Sequence, residues 1–142
     1  MNKKNLAYIL ICLGSIPFIF FAFLRMLSYE KFFHLDVNYI IAIYSLSIIS
    51  FICGSHWGIF LTNNILKINL FFLSNFLTIS SFVGILFLMI NYFFLLQILI
   101  LIILLLIDFY IYWQSITQKN YLYFRILITT LVIGCLIIPV II

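Results

Sequence analysis

The chain has 142 residues, 68% of them hydrophobic and only 7% charged, with a mean hydropathy of +1.38 and a formal net charge of +4. Soluble domains carry roughly 25% charged residues, so the composition excludes a soluble globule and marks an integral membrane protein. The seven Lys and Arg are scattered singly or in pairs, which excludes an extended basic surface for nucleic acid, and the positive balance reflects scarce acids.

A hydrocarbon core about 30 Å thick takes roughly 20 apolar residues at 1.5 Å each. Five stretches meet this, approximately 6–27, 38–62, 69–90, 93–113 and 121–142. They predict an all-α fold: a polytopic transmembrane helix bundle forming a single integral membrane domain over 1–142.

The first stretch opens as "MNKKNLAYILICLG", like a signal peptide with a basic start and an apolar core. Its apolar run continues through "SIPFIFFAFL" to Leu24 without an A-x-A-like site, so it is expected to remain as a span. Gly14 and Pro17 in "LGSIPF" predict a kink or a close contact, with the freed backbone carbonyl satisfied by neighbours. The break "RMLSYEKFFHLDVN" holds Arg25, Glu30, Lys31, His34 and Asp36, and reads as a solvated loop without metal-ligand spacing.

The second span carries two patterns. Ser50, Gly54 and Gly58 recur every four residues, the small-xxx-small spacing that lets helix backbones approach closely. His56, with Ser45 and Asn63, points nearly opposite, which predicts a central helix. Trp57 reads as an interface anchor or packing residue. "TNNILKIN" is the next turn, and the third span follows with Asn75 inside it. A turn near Asn91, in "MINYFFLLQ", has little local signal, yet residues 69–113 as one helix would run about 65 Å, twice a bilayer. A tight hairpin is therefore required. In the fourth span Gln97, Asp108, Tyr112 and Ser115 fall on one stripe, and after "WQSITQKNYLYFR" the fifth places Arg125 and Thr129 on a shared face.

With five spans, Lys3, Lys4, Lys67, Lys119 and Arg125 share one side and Arg25 and Lys31 the other, which predicts a cytoplasmic N-terminus. On that side, His56 lies about 9 Å below Thr62, Asp108 about 8 Å below Trp113, and Arg125 about 6 Å past Tyr121, with Asn75 at comparable depth. Four polar groups on four helices thus form one predicted layer. A charge deep in a span costs about 2.5–3.5 kcal/mol, less near the interface, so such groups face the bundle and find partners. Asp108 is expected to pair with Arg125 or His56. Cys12, Cys53 and Cys135 have no metal-like or C-x-x-C spacing and read as small buried hydrophobes.

"LGSIPF", "YSLSIISFICGSHWGIFL", "LLLIDFYIY" and "YLYFRILITTLVIGCLIIPV" together resemble the uncharacterised family called domain of unknown function 3429, over nearly the whole chain. The H-W-G element followed by an Asp in the fourth span carries most of the resemblance. It implies no established activity, and points to His56, Trp57, Gly58, Asp108 and Arg125. The sequence departs from the family pattern in "NNILKINLFFLSNFLTISS", where members are richer in Pro and Trp, so the resemblance implies no role there.

No nucleophile with a base, phosphate-binding glycine loop or nucleotide fingerprint is present, and Ser55 and His56 point about 100° apart on a helix. The expectation is a non-enzymatic protein of the cell inner membrane with no cofactor or metal. Its expected surroundings are the lipid bilayer and a membrane-protein partner or a homo-oligomer. Two functions stay open. One is a partner or assembly factor of a membrane complex, with the polar layer fixing helix packing. The other is ion or proton handling, or binding of a lipid or quinone head, through His56 and Asp108.

Overall fold

The computed structural model describes residues 3–63 and 65–142. Five helices account for most of them: α1 (Lys3–Met26), α2 (Val37–Thr62), α3 (Leu70–Phe87), α4 (Ile90–Trp113) and α5 (Lys119–Ile141). All five are long and apolar enough to cross a membrane, α4 most strongly at a mean hydropathy of 2.8. The chain is a multi-pass membrane protein with an all-α helix bundle, as the spans predict.

Successive helices pack side by side and α5 returns to α1, so the helices form a closed ring; α2 and α4 also touch across its middle. The buried face of α2 follows the helical period through Val37, Ile41, Ala42, Ser45, Ile49, Ile52, Cys53 and His56. It meets Phe94, Ile100, Leu104 and Ile111 of α4 in one core. The outer surface is a coat of Ile, Leu and Phe suited to lipid.

Local chemistry sets the helix ends. Asp36 caps α2 by accepting from the Asn38 N–H at 2.7 Å, and Asn69 caps α3 through the Phe72 N–H at 3.2 Å. After α1 and α4 the chain turns through Ser28 (φ 63°) and Ser115 (φ 60°). In each turn two N–H groups return to last-turn carbonyls, Ser28 to Arg25 and Tyr29 to Leu24, then Ser115 to Tyr112 and Ile116 to Ile111.

Four details depart from the sequence reading. The α1–α2 connection is not only loop: β1 (Lys31–Phe32) and β2 (Leu35–Asp36) form a minimal antiparallel hairpin, turning at Phe33 with φ 57°. Phe32 anchors it against Phe20 and Phe21. The third turn lies at Leu88–Met89, earlier than Asn91, which sits exposed in the first turn of α4. A polar side chain is cheap in a first helical turn, where backbone N–H groups are open anyway. Of the cysteines only Cys53 is buried; Cys12 is exposed and Cys135 half-buried, because their faces of α1 and α5 turn outward.

The fourth concerns the seam. Gly54 and Gly58 are exposed, and a Cβ added at either meets nothing within 4 Å. The small face of α2 points out of the bundle because its opposite face carries His56 and the larger apolar residues into the core. The close approach lies instead on α3, where Ser74, Ser81 and Gly84 are buried and a Cβ at Gly84 would overlap the Leu96 side chain of α4. Around Pro17, α1 stays helical, and the Tyr44 hydroxyl donates to the Gly14 carbonyl at 2.9 Å, one residue on from the Leu13 carbonyl that Pro17 leaves without its helical donor.

Candidate functional site

Three of the four predicted polar residues converge. His56 enters from α2, Asp108 from α4 across the ring, and Arg125 from the neighbouring α5. His56 Nε2 lies 2.9 Å from Asp108 Oδ1, and Arg125 Nε donates to Asp108 Oδ2 at 2.7 Å. Each carboxylate oxygen therefore has its own partner, where the sequence left His56 and Arg125 as alternatives.

The site is dry. His56 and Asp108 are 1% and 2% exposed and Arg125 is 8% exposed. With neutral His56 donating through Nε2, the Arg125 and Asp108 charges cancel and the buried cluster carries no net charge. Its Nδ1 atom is buried with no hydrogen-bond partner among the described residues. In that tautomer the atom is a buried bare acceptor. Thr129 is buried on the same face of α5 as Arg125.

Asn75 is not part of the cluster. It is exposed, although its depth is right. The Phe60–Phe71 ring contact and the nearness of Cys53 to Thr78 set an antiparallel register in which His56 lies level with residue 75. The α3 face turned inward at this level belongs to Ser74, whose hydroxyl donates to the Leu70 carbonyl at 2.6 Å. One residue along a helix is a rotation of 100°, enough to exchange core for lipid. Trp57, beside His56, is 40% exposed and packs edge-on against Phe71.

A second buried polar contact lies nearer the opposite end of α4. Gln97 Nε2 donates to Ser81 Oγ at 2.7 Å, and the Ser81 hydroxyl lies 3.1 Å from Gln97 Oε1, with both residues 0% exposed. The sequence placed Gln97 on the Asp108 stripe, and both are buried; Tyr112 on that stripe is half-buried and Ser115 exposed. Ser81 was missed. The signal for it was the small-residue run Ser74, Ser81, Gly84 on the span preceding a buried glutamine. Above the cluster, the Lys67 N–H donates to the Tyr110 hydroxyl at 3.2 Å, and Leu66 is buried, fixing the α2–α3 connection over this end of the bundle.

These residues can do two things chemically. The carboxylate can lock three helices in register, and the imidazole can take a proton or a hydrogen bond at Nδ1. No curated protein and no solved structure matches the chain. The family description that matches is "Protein of unknown function (DUF3429)", over residues 3–141, and the chain belongs to that family.

Proposed function

We propose that this protein is a non-enzymatic component of the cell inner membrane that serves as partner or assembly factor for a larger membrane complex, with His56, Asp108 and Arg125 as an internal clasp. One observation carries the reading. The ionisable groups are spent on each other inside the bundle, while the face best suited to close helix approach, Gly54 and Gly58, is left open on the outside. A partner helix laid along this face meets backbone rather than bulky side chains. The test is Gly54→Leu in the full chain, followed by co-purification from gently solubilised membranes. The expected result is normal accumulation with loss of a large co-purifying membrane protein. Retention of that protein at the wild-type level overturns the proposal.

A second reading, proton or ion handling or binding of a lipid or quinone head at His56 and Asp108, is favoured by the unpartnered Nδ1 atom. His56→Gln separates the two. A glutamine amide can donate to Asp108 from the position of Nε2 but has no base at the position of Nδ1. The clasp reading expects His56→Gln to accumulate and function like the wild type, with His56→Ala losing accumulation. Normal accumulation of His56→Gln with lost growth or transport phenotype supports the second reading instead.

A further inference from the structure

The two ends of the bundle differ in charge. At the end holding the hairpin, Arg25 and Lys31 are balanced by Glu30 and Asp36. The remaining acid, Asp108, is held by Arg125, so the formal charge of +4 lies wholly at the opposite end, with Lys3, Lys4, Lys67 and Lys119. Lys119 opens α5 there and has no carboxylate partner among the described residues; its ammonium sits over the Tyr123 ring, 5.6 Å from the centroid.

Beneath Lys119 runs an outward-facing groove between α4 and α5, about 170 Å³ in volume, lined by Phe109, Tyr112, Leu122, Tyr123 and Ile126. At about 30 Å³ for a group of water size, it seats a short run of acyl chain. A larger groove of about 420 Å³ between α1 and α5 is lined by Tyr8, Ile9, Cys12, Leu13, Ile16 and Phe124. Its described lining is uncharged and offers a headgroup no charge to select by. Of these two grooves, among the described residues, it is the α4–α5 one that joins an apolar floor to a cation at the membrane edge.

We propose that the α4–α5 groove is a selective site for an anionic phospholipid, with the phosphate at Lys119 and one acyl chain along Phe109, Leu122 and Ile126. The complementarity is one of sign and layout. The nearest carboxylate, Asp108, is already neutralised, so nothing at this mouth repels a phosphate. The Tyr112 and Tyr123 rings flank it as tyrosines do at headgroup level. This site is separate from the clasp and stands whether the clasp is structural or functional.

The experiment is lipid retention by the full chain in mixed micelles of equimolar phosphatidylglycerol and phosphatidylcholine, read by native mass spectrometry. One lysine near an anionic surface contributes about 1 kcal/mol, about fivefold in affinity at 1.4 kcal/mol per tenfold. Wild type is expected to retain phosphatidylglycerol about fivefold over phosphatidylcholine. Lys119→Gln is expected to abolish the preference, Lys119→Arg to keep it, and Ile126→Trp, which fills the floor, to lower retention with the lysine present. Equal retention of both lipids by wild type, or an undiminished preference in Lys119→Gln, overturns the proposal. So does an equally large loss in Lys67→Gln, since Lys67 lies outside the groove and would then act through general charge. Displacement of phosphatidylglycerol by excess glycerol phosphate would overturn it in favour of a free phosphate ligand.

Discussion

Helix α4 carries two buried polar contacts on one face, eleven residues and about 16 Å apart, that hold the bundle in different ways. Near one end, Asp108 joins His56 and Arg125, tying α4 to two other helices through charge. Near the other end, Gln97 joins Ser81, tying α4 to α3 through a neutral amide and a hydroxyl. Both are buried. They differ in what is left behind when a member is lost. A neutral pair leaves an amide or hydroxyl that can turn to a backbone carbonyl, whereas the ionic cluster leaves an uncompensated charge in a low-dielectric interior.

The largest effect therefore belongs to Asp108→Asn. The side chain keeps its shape and can still accept hydrogen bonds, but Arg125 loses its counter-charge. Breaking a buried pair on one side costs about 3–5 kcal/mol. The lower end of that range is expected here, because Arg125 sits near the membrane edge and can extend toward headgroups. The measurement is unfolding in mild detergent, together with accumulation in the membrane. The double substitution Asp108→Asn with Arg125→Gln sharpens the comparison. It removes both charges, so it should be more stable than Asp108→Asn alone. If the two losses simply add, the cluster is not a charge pair and the contrast with Gln97 fails.

Helix α4 and its neighbours also show what a membrane sequence discloses and what it conceals. Span number and residue depth follow from hydropathy and the 1.5 Å rise, which is why the sequence alone puts His56, Asp108 and Arg125 at one level and the structure joins them. Angular placement is harder, because the lipid-facing and core-facing sides of such helices are both apolar. Asn75 illustrates this: its depth was right and its face wrong by one residue, with Ser74 occupying the inward position. The small-residue stripes make the same point. Ser50, Gly54 and Gly58 on α2 and Ser74, Ser81 and Gly84 on α3 are both small-residue stripes on one helix face, yet only the second is an internal seam. A polar partner for the stripe, such as Gln97 opposite Ser81, marks the internal one, since an amide facing lipid would be left unsatisfied. The hairpin and the Leu88–Met89 turn were not legible for another reason. Neither uses glycine, proline or asparagine where it turns, so tertiary packing rather than turn chemistry sets it.

The smaller effect lies at the neutral contact. In Gln97→Leu, volume is nearly kept and the amide disappears, while the Ser81 hydroxyl can turn back to a carbonyl of its own helix, as Ser74 already does to Leu70. Interhelical hydrogen bonds of this type contribute about 0.6 kcal/mol on average and about 1.7 at most in membranes. Gln97→Leu should therefore unfold within about 1 kcal/mol of wild type in the same detergent assay, well short of Asp108→Asn. The close approach at Gly84 explains why the loss stays small. The Leu96 side chain of α4 packs directly on the α3 backbone at Gly84, beside the polar pair, so dispersion holds the helices together after the hydrogen bonds have gone. A destabilisation as large as that of Asp108→Asn would place the amide, rather than the packing around Gly84, as the element that holds α3 to α4.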